Sequence, residues 1–186
     1  FTPDTAKEGD KLPVLIYIHG GGFTGGCGHE KHFDGPVWPA KGIIGVTINY
    51  RLGPMGFVCL PELKQEAGRT GNYGLYDQMT AIKWVKENIA AFGGDPNCIT
   101  VAGQSGGAAG TGALHASPLM QGLINRVSIE SGPIYWGFMQ PVDREILERK
   151  GVEFMELVGC KNIAELRQKD AWELFDAYEA GFRTAV

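Results

Sequence analysis

The 186 residues contain no block of like charge, no long apolar run and no paired cysteine motif. Seventeen lysines and arginines against 21 aspartates and glutamates leave a net charge of −4, spread along the chain. That distribution excludes the basic footprint of a nucleic-acid binder and the basic patch of a membrane-surface protein. The longest apolar run, VLIYI at residues 14–18, falls far short of the ~20 residues of a membrane-spanning helix. Nor does a charged-then-apolar leader follow Phe1. Cys27, Cys59, Cys98 and Cys160 are scattered, with no C-x-x-C and no zinc-type spacing, so free thiols are expected and neither a metal site nor a disulfide framework is. Unpaired cysteines favour a reducing, cytoplasmic compartment.

Glycine is what the chain has in excess. Its 28 residues are roughly double the usual ~7%, and they concentrate between His19 and Gly112, where each needs a backbone reason. With 44% hydrophobic residues the chain is long enough for one ordinary domain with a real core. LPVLIYIH at 12–19, GIIGVTINY at 42–50, CITVAG at 98–103 and RVSIES at 126–131 are short branched apolar runs. Such runs mark strands buried on both faces of a parallel sheet.

Met79, Ile82, Val85, Ile89 and Phe92 recur at three- and four-residue steps before Gly93 and Gly94, which predicts a helix over 75–92. The small-residue stretch SGGAAGTGALHAS predicts a helix packed close to the sheet. RLGPMGFVCLPELKQEAGRTGNYG, with Pro54, Pro61 and five glycines, is expected to be an irregular connection. Beyond Pro141 the texture is amphipathic helix, with Ile146, Leu147, Phe154, Met155 and Val158 on its apolar side. Asn162 with Glu165, and Asp170 with Glu173, have capping-box spacing. Trp84, Trp136 and Trp172 are expected as core or cleft-wall aromatics. Strands alternating with helices imply an α/β fold, a mainly parallel sheet with flanking helices, whose ligands sit at the carboxyl ends of the strands. Both glycine clusters follow strand ends.

Gly103, Gln104, Ser105, Gly106 and Gly107 fit G-x-S-x-G between a strand and a helix, the setting of a nucleophile elbow. The same five residues also fit a serine N-cap on a small-residue helix. His19, Gly20, Gly21 and Gly22 shift the balance, because an oxyanion hole needs backbone N–H groups aimed at one point and glycines let the chain approach a substrate oxygen. Together with Ser105 they point to acyl transfer. Gly20, Gly22 and Gly25 also spell G-x-G-x-x-G, but neither a helix start nor an acidic residue about 20 positions on accompanies them, so nucleotide binding is not supported. His29 and His32 lie in a glycine-rich loop and are expected to be solvated. His115 stands ten residues past Ser105, about 15 Å along a helix, and cannot be its base through that helix. His19 is expected to brace the glycine loop.

With these residues in place, the chain resembles the type-B carboxylesterase and cholinesterase family of α/β-hydrolases. FGGDPNCITVAGQSGG at 92–107 is similar to that family's serine-site signature, and IYIHGGGF, NYRLGPMGF and GNYGLYDQ resemble its other landmarks in order. The resemblance implies that Ser105 is the nucleophile of a serine hydrolase of carboxylic esters and that the amides of Gly21, Gly22 and Gly106 form the oxyanion hole. It implies no cofactor and no metal, a small-molecule ester as partner, and neither nucleic acid nor membrane. Amide or lactone hydrolysis in the same site, or a non-catalytic binding or adhesion module of the same fold, are the alternatives.

Two departures stand out. Gly106 replaces the alanine common after the serine and is expected to loosen the turn while keeping its donor. Gln104 replaces a frequent glutamate, removing a buried carboxylate and arguing against choline esters. The resemblance further implies that residues 1–186 are part of one α/β-hydrolase domain truncated at both ends, with 141–186 a helical extension of it. The acid and histidine of the triad are then expected beyond Val186.

Overall fold

The structure, a computed structural model, describes residues 1–31, 33, 37–132 and 142–182. Trp136 and His32 lie outside them. The chain divides into two compact units, Phe1–Tyr50 with Leu75–Gln140 and Arg51–Gly74 with Pro141–Val186.

The first unit is built on a parallel sheet in the order β2-β1-β3-β4, formed by β1 (Leu12–Ile18), β2 (Ile44–Thr47), β3 (Gly94–Gln104) and β4 (Arg126–Glu130). Helix α3 (Tyr73–Asn88) precedes β3, and α4 (Gly106–Ala116) links β3 to β4. The runs of β-branched residues explain the strands, but double-faced burial does not follow. Val14, Ile16 and Ile18 are at most 1% exposed, whereas Leu15 and Tyr17 between them are only half-buried. The described residues therefore cover one face of β1 fully and the other in part, giving the alternation of a one-sided strand. The edges are stitched by local groups. Phe1 exchanges two hydrogen bonds with Gly45 on β2, both 2.9 Å. Asn125 bonds Ile99 through its side chain and its backbone amide, setting the start of β4 on β3.

Helix α3 buries Ile82 and Val85 as its spacing requires, and ends at Asn88 rather than Phe92; a 3₁₀ turn over Ile89–Phe92 continues it and buries Ile89, while Trp84 is 54% and Phe92 49% exposed. Their rings lie near one another, 6.4 Å between centroids, rather than in the core.

In the second unit the stretch expected to be irregular holds two helices, α1 (Gly53–Phe57) and α2 (Pro61–Ala67). Each has proline in its first turn, where the missing N–H has no helical partner to lose and φ is already set. The prolines that suggested a loop are starts. Helix α5 (Arg144–Leu157) follows the N-cap Asp143, whose carboxylate accepts from the Glu145 amide. Asn162 caps α6 (Ile163–Leu166) and Asp170 caps α7 (Ala171–Ala177). Neither completes a capping box: Glu165 accepts from the Lys161 amide at 2.8 Å, one residue too early, and Glu173 pairs with Lys169. The first orphan amide of α6, on Ile163, is instead met by Glu62 of α2 at 2.9 Å.

Leu60, Phe154, Met155, Val158, Cys160, Leu166 and Leu174 form this unit's core. Gly151 lets α5 pass the chain at Cys59, since a Cβ there would stand 1.8 Å from the Cys59 carbonyl oxygen. Ile146 is exposed, as is Trp172, which pairs edge-on with Phe175. All four cysteines are free thiols; Cys59 and Cys160 are buried and Cys27 is exposed.

Phe154 is 1% exposed at the centre of that core, so Phe154→Ala is expected to cost ~3–5 kcal/mol in urea denaturation of the intact protein. The half-exposed Arg167–Glu66 pair is different: Arg167→Gln should change stability by less than ~1 kcal/mol.

Candidate active site

Ser105 stands between β3 and α4 with φ 56° and ψ −122°, left-handed space that a residue with a Cβ rarely enters. The neighbouring backbone holds it there. Its amide donates to the Glu130 carbonyl at the end of β4 (2.9 Å), and its carbonyl accepts from Ala109 (3.0 Å). Ser105 is half-buried, and its hydroxyl has no hydrogen-bond partner among the described residues.

The glycines around it are explained by close approach. A Cβ on Gly103 would lie 2.3 Å from the Gly107 carbonyl oxygen, and one on Gly107 would lie 2.1 Å from that of Ile18. A Cβ on Gly132 would lie 2.2 Å from the Ser105 carbonyl oxygen. Helix α4 thus starts in backbone contact with the end of β1.

The loop after β1 comes to the same place. Its Gly21, Gly22 and Phe23 have φ of 102°, 60° and 63°, and the Gly21 carbonyl is fixed by the amides of Thr24 and Gly25. That turn carries Gly22 alongside Gly106. A Cβ on Gly106 would stand 2.9 Å from the Gly22 nitrogen and 3.2 Å from the Phe23 nitrogen, and one on Gly20 would stand 3.3 Å from the Ser105 Cβ. Of the four residues singled out, Ser105, Gly106 and Gly22 are brought together, and Gly21 makes the turn that presents Gly22. At Gly106, where a looser turn is expected from the sequence, the glycine loop occupies the space that a methyl group would take.

His19 is 1% exposed and does brace the loop. Its Nδ1–H donates to the Gly20 carbonyl at 2.8 Å, and its ring stacks on Tyr50 at 4.5 Å. Burial pushes the Tyr50 hydroxyl far above its ordinary pKa, and that hydroxyl donates to the His19 carbonyl at 3.0 Å. Next to it, Asn49 accepts from the Gly28 amide at 2.9 Å. These two braces were not legible as such in the sequence. The available signal was the NY that opens NYRLGPMGF, directly after a strand.

Gln104 is exposed. Glu130 stands in register with it on β4, so this end of the sheet is not without a carboxylate. A cavity of about 420 Å³ beside the glycine loop is lined by Tyr17, Gly20, Gly21, Glu30, Phe33 and Gln104 among others. Burial raises the Tyr17 hydroxyl there, and the carboxylates of Glu130 and Glu30 raise it further. His29 is exposed beside Asn49, and His115 is exposed on the last turn of α4.

The carboxylesterase family model matches residues 1–185. The chain belongs to the carboxylesterase family. Fumonisin B1 esterase of Sphingopyxis macrogoltabida is 42% identical over 165 residues, covering 88% of this chain and 29% of that protein. Para-nitrobenzyl esterase of Bacillus subtilis (strain 168) is 47% identical over 133 residues, covering 71% and 26%. A solved PNB esterase superimposes with a TM-score of 0.86 at 38% identity, over 97% of this chain and 37% of that one. The carboxylesterase-family chain therefore has an α/β-hydrolase fold and spans less than a third of the length of these two curated relatives.

Close approach and backbone sign separate two glycines of this carboxylesterase-family site. Gly22 has open space at its Cβ position but φ 60°, so Gly22→Ala should cost roughly 1–2 kcal/mol. Gly107→Ala must displace strand backbone and should cost about 3 kcal/mol or more. Urea denaturation of the intact variants checks the order, which would be reversed if the loop rather than the elbow were the tighter contact.

Proposed function

We propose that this chain carries the nucleophile and oxyanion hole of a carboxylic ester hydrolase that works through an acyl-enzyme. The observation that carries the reading is the joining of a strained, half-buried serine to a glycine loop: Ser105 at φ 56° and ψ −122°, with Gly106 packed against the Gly22 and Phe23 amides. Membership of the carboxylesterase family and the esterase names of its relatives support the same chemistry.

In this reading the Ser105 Oγ attacks the ester carbonyl carbon and passes its proton to a base, while the carbonyl electron pair moves onto oxygen. The amides of Gly21, Gly22 and Gly106 donate to that oxyanion, and a preorganised donor of this kind is worth ~10²–10³ in rate. Collapse of the tetrahedral adduct breaks the bond to the alcohol oxygen, which leaves with a proton. Water then repeats the sequence on the acyl-enzyme, releasing the acid and restoring Ser105. Backbone donors suit this task because they are already oriented and carry no formal charge that a neutral ester would have to balance.

The base is not among the described histidines. His19 is buried and committed to Gly20, while His29 lies beside Asn49 and His115 ends α4. We therefore assign the histidine and its acid to sequence outside these residues, as the coverage of the relatives allows.

A fluorophosphonate probe is expected to label the intact protein at Ser105, and Ser105→Ala is expected to abolish labelling and lower kcat on a p-nitrophenyl ester by at least ~10⁴. Labelling that survives Ser105→Ala would show that the nucleophile is elsewhere.

A further inference from the structure

The apolar stripe of α3 has one polar member. Gln78 stands one turn before Ile82 on the face that also carries Val85, and it is 0% exposed. Thr111 is equally buried on α4, among Ala108, Ala109, Gly110 and Leu114. Neither Nε2 nor Oε1 of Gln78, nor the Thr111 hydroxyl, has a hydrogen-bond partner among the described residues.

A buried polar atom without a partner lowers stability, and an apolar residue of the same shape would avoid that loss. Methionine has nearly the shape of glutamine, so core packing alone favours it at position 78. Gln78 packs on α4 at Gly110, and Thr111 packs on β3 at Gly103, two residues before Ser105. The Gln78 amide occupies the notch left by Gly110, where a Cβ would stand 2.8 Å from its Oε1 and 3.3 Å from its Nε2. A Cβ on Gly103 would stand 2.8 Å from the Thr111 hydroxyl and 2.3 Å from the Gly107 carbonyl oxygen.

We propose that Gln78 is a positioning residue of the esterase site, with Thr111 in support: its flat amide sets how closely α4 lies to α3, and so where the start of α4 holds the Ser105 and Gly106 backbone. This rests on the assignment of Ser105 as nucleophile. Gly110 lies one helical turn after Gly106, so a displacement at the notch is delivered to the oxyanion-facing amide through the first hydrogen-bonded turn of α4. No contact with substrate is involved. The expected signature is therefore a loss in kcat with KM little changed, because misplacing a donor by a fraction of an ångström weakens the transition state more than ground-state binding.

The test uses Gln78→Met in the intact protein, with sites counted by fluorophosphonate so that kcat refers to folded protein. Melting temperature should be unchanged or higher, KM should stay within about twofold, and kcat should fall by roughly 10-fold or more. A smaller fall in kcat per titrated site overturns the proposal. If Gln78→Met does not fold, Gly110→Ala decides by the same criterion, since it improves helix propensity while pushing the amide out of its notch. Labelling retained in Ser105→Ala would instead sink the nucleophile assignment, which separates the two failures.

Discussion

Everything at this site depends on one contact made without side chains, where the first turn of α4 meets the end of β1. A Cβ at Gly107 would fall 2.1 Å from the Ile18 carbonyl oxygen and 2.6 Å from that of His19. A helix cannot come this near a strand through ordinary residues, because even a methyl group overlaps the backbone opposite. Once it does, three consequences follow from geometry. The chain between β3 and α4 has no room for a relaxed turn, so Ser105 takes a left-handed conformation. The free amides at the start of α4 lie at the carboxyl ends of the strands. And the loop leaving β1 passes alongside Gly106.

That loop has an anchor of its own kind. His19, Tyr50 and Asn49 surround it with ring stacking and hydrogen bonds to backbone atoms, while Gly21 and Gly22 supply the turn. Division of labour between residues that bend and residues that hold is what preorganisation requires: donors fixed before substrate arrives need no reorganisation as charge develops. It also accounts for a buried histidine beside this loop. Its Nδ1–H donates to the Gly20 carbonyl and its own carbonyl accepts from Tyr50, so the residue holds the loop through both side chain and backbone.

How much of this was legible in the sequence depends on what kind of signal each element leaves. Strands β1 to β4 and helices α3 and α4 were legible because hydrophobic periodicity and small-residue runs report on burial directly. Helices α1 and α2 were not, because proline marks both loops and first helical turns, and only the backbone that follows tells them apart. Trp84 and Trp172 were expected inside on size alone; both lie on solvent-facing sides of short or narrow-striped helices. In the site, Ser105 and the glycine loop could be paired from their spacing after two strands. The Asn49 and Tyr50 braces could not, since they reach the loop from a third strand end through contacts that no local pattern encodes.

The glycine excess shows the same limit from the other side. Composition says only that 28 positions lack a side chain, whereas the structure separates two reasons. Gly22 is needed for its backbone sign, with open space where a Cβ would be; Gly103, Gly106, Gly107 and Gly110 have ordinary backbone angles and are needed for nearness. These four of the second kind lie on the strand and helix flanking Ser105. A single left-handed turn can be moved to another loop by a few substitutions, but a run of close contacts between a strand end and a helix must be kept together. It is that shared requirement, more than the five letters around the serine, that ties the fold of this unit to the chemistry proposed for it.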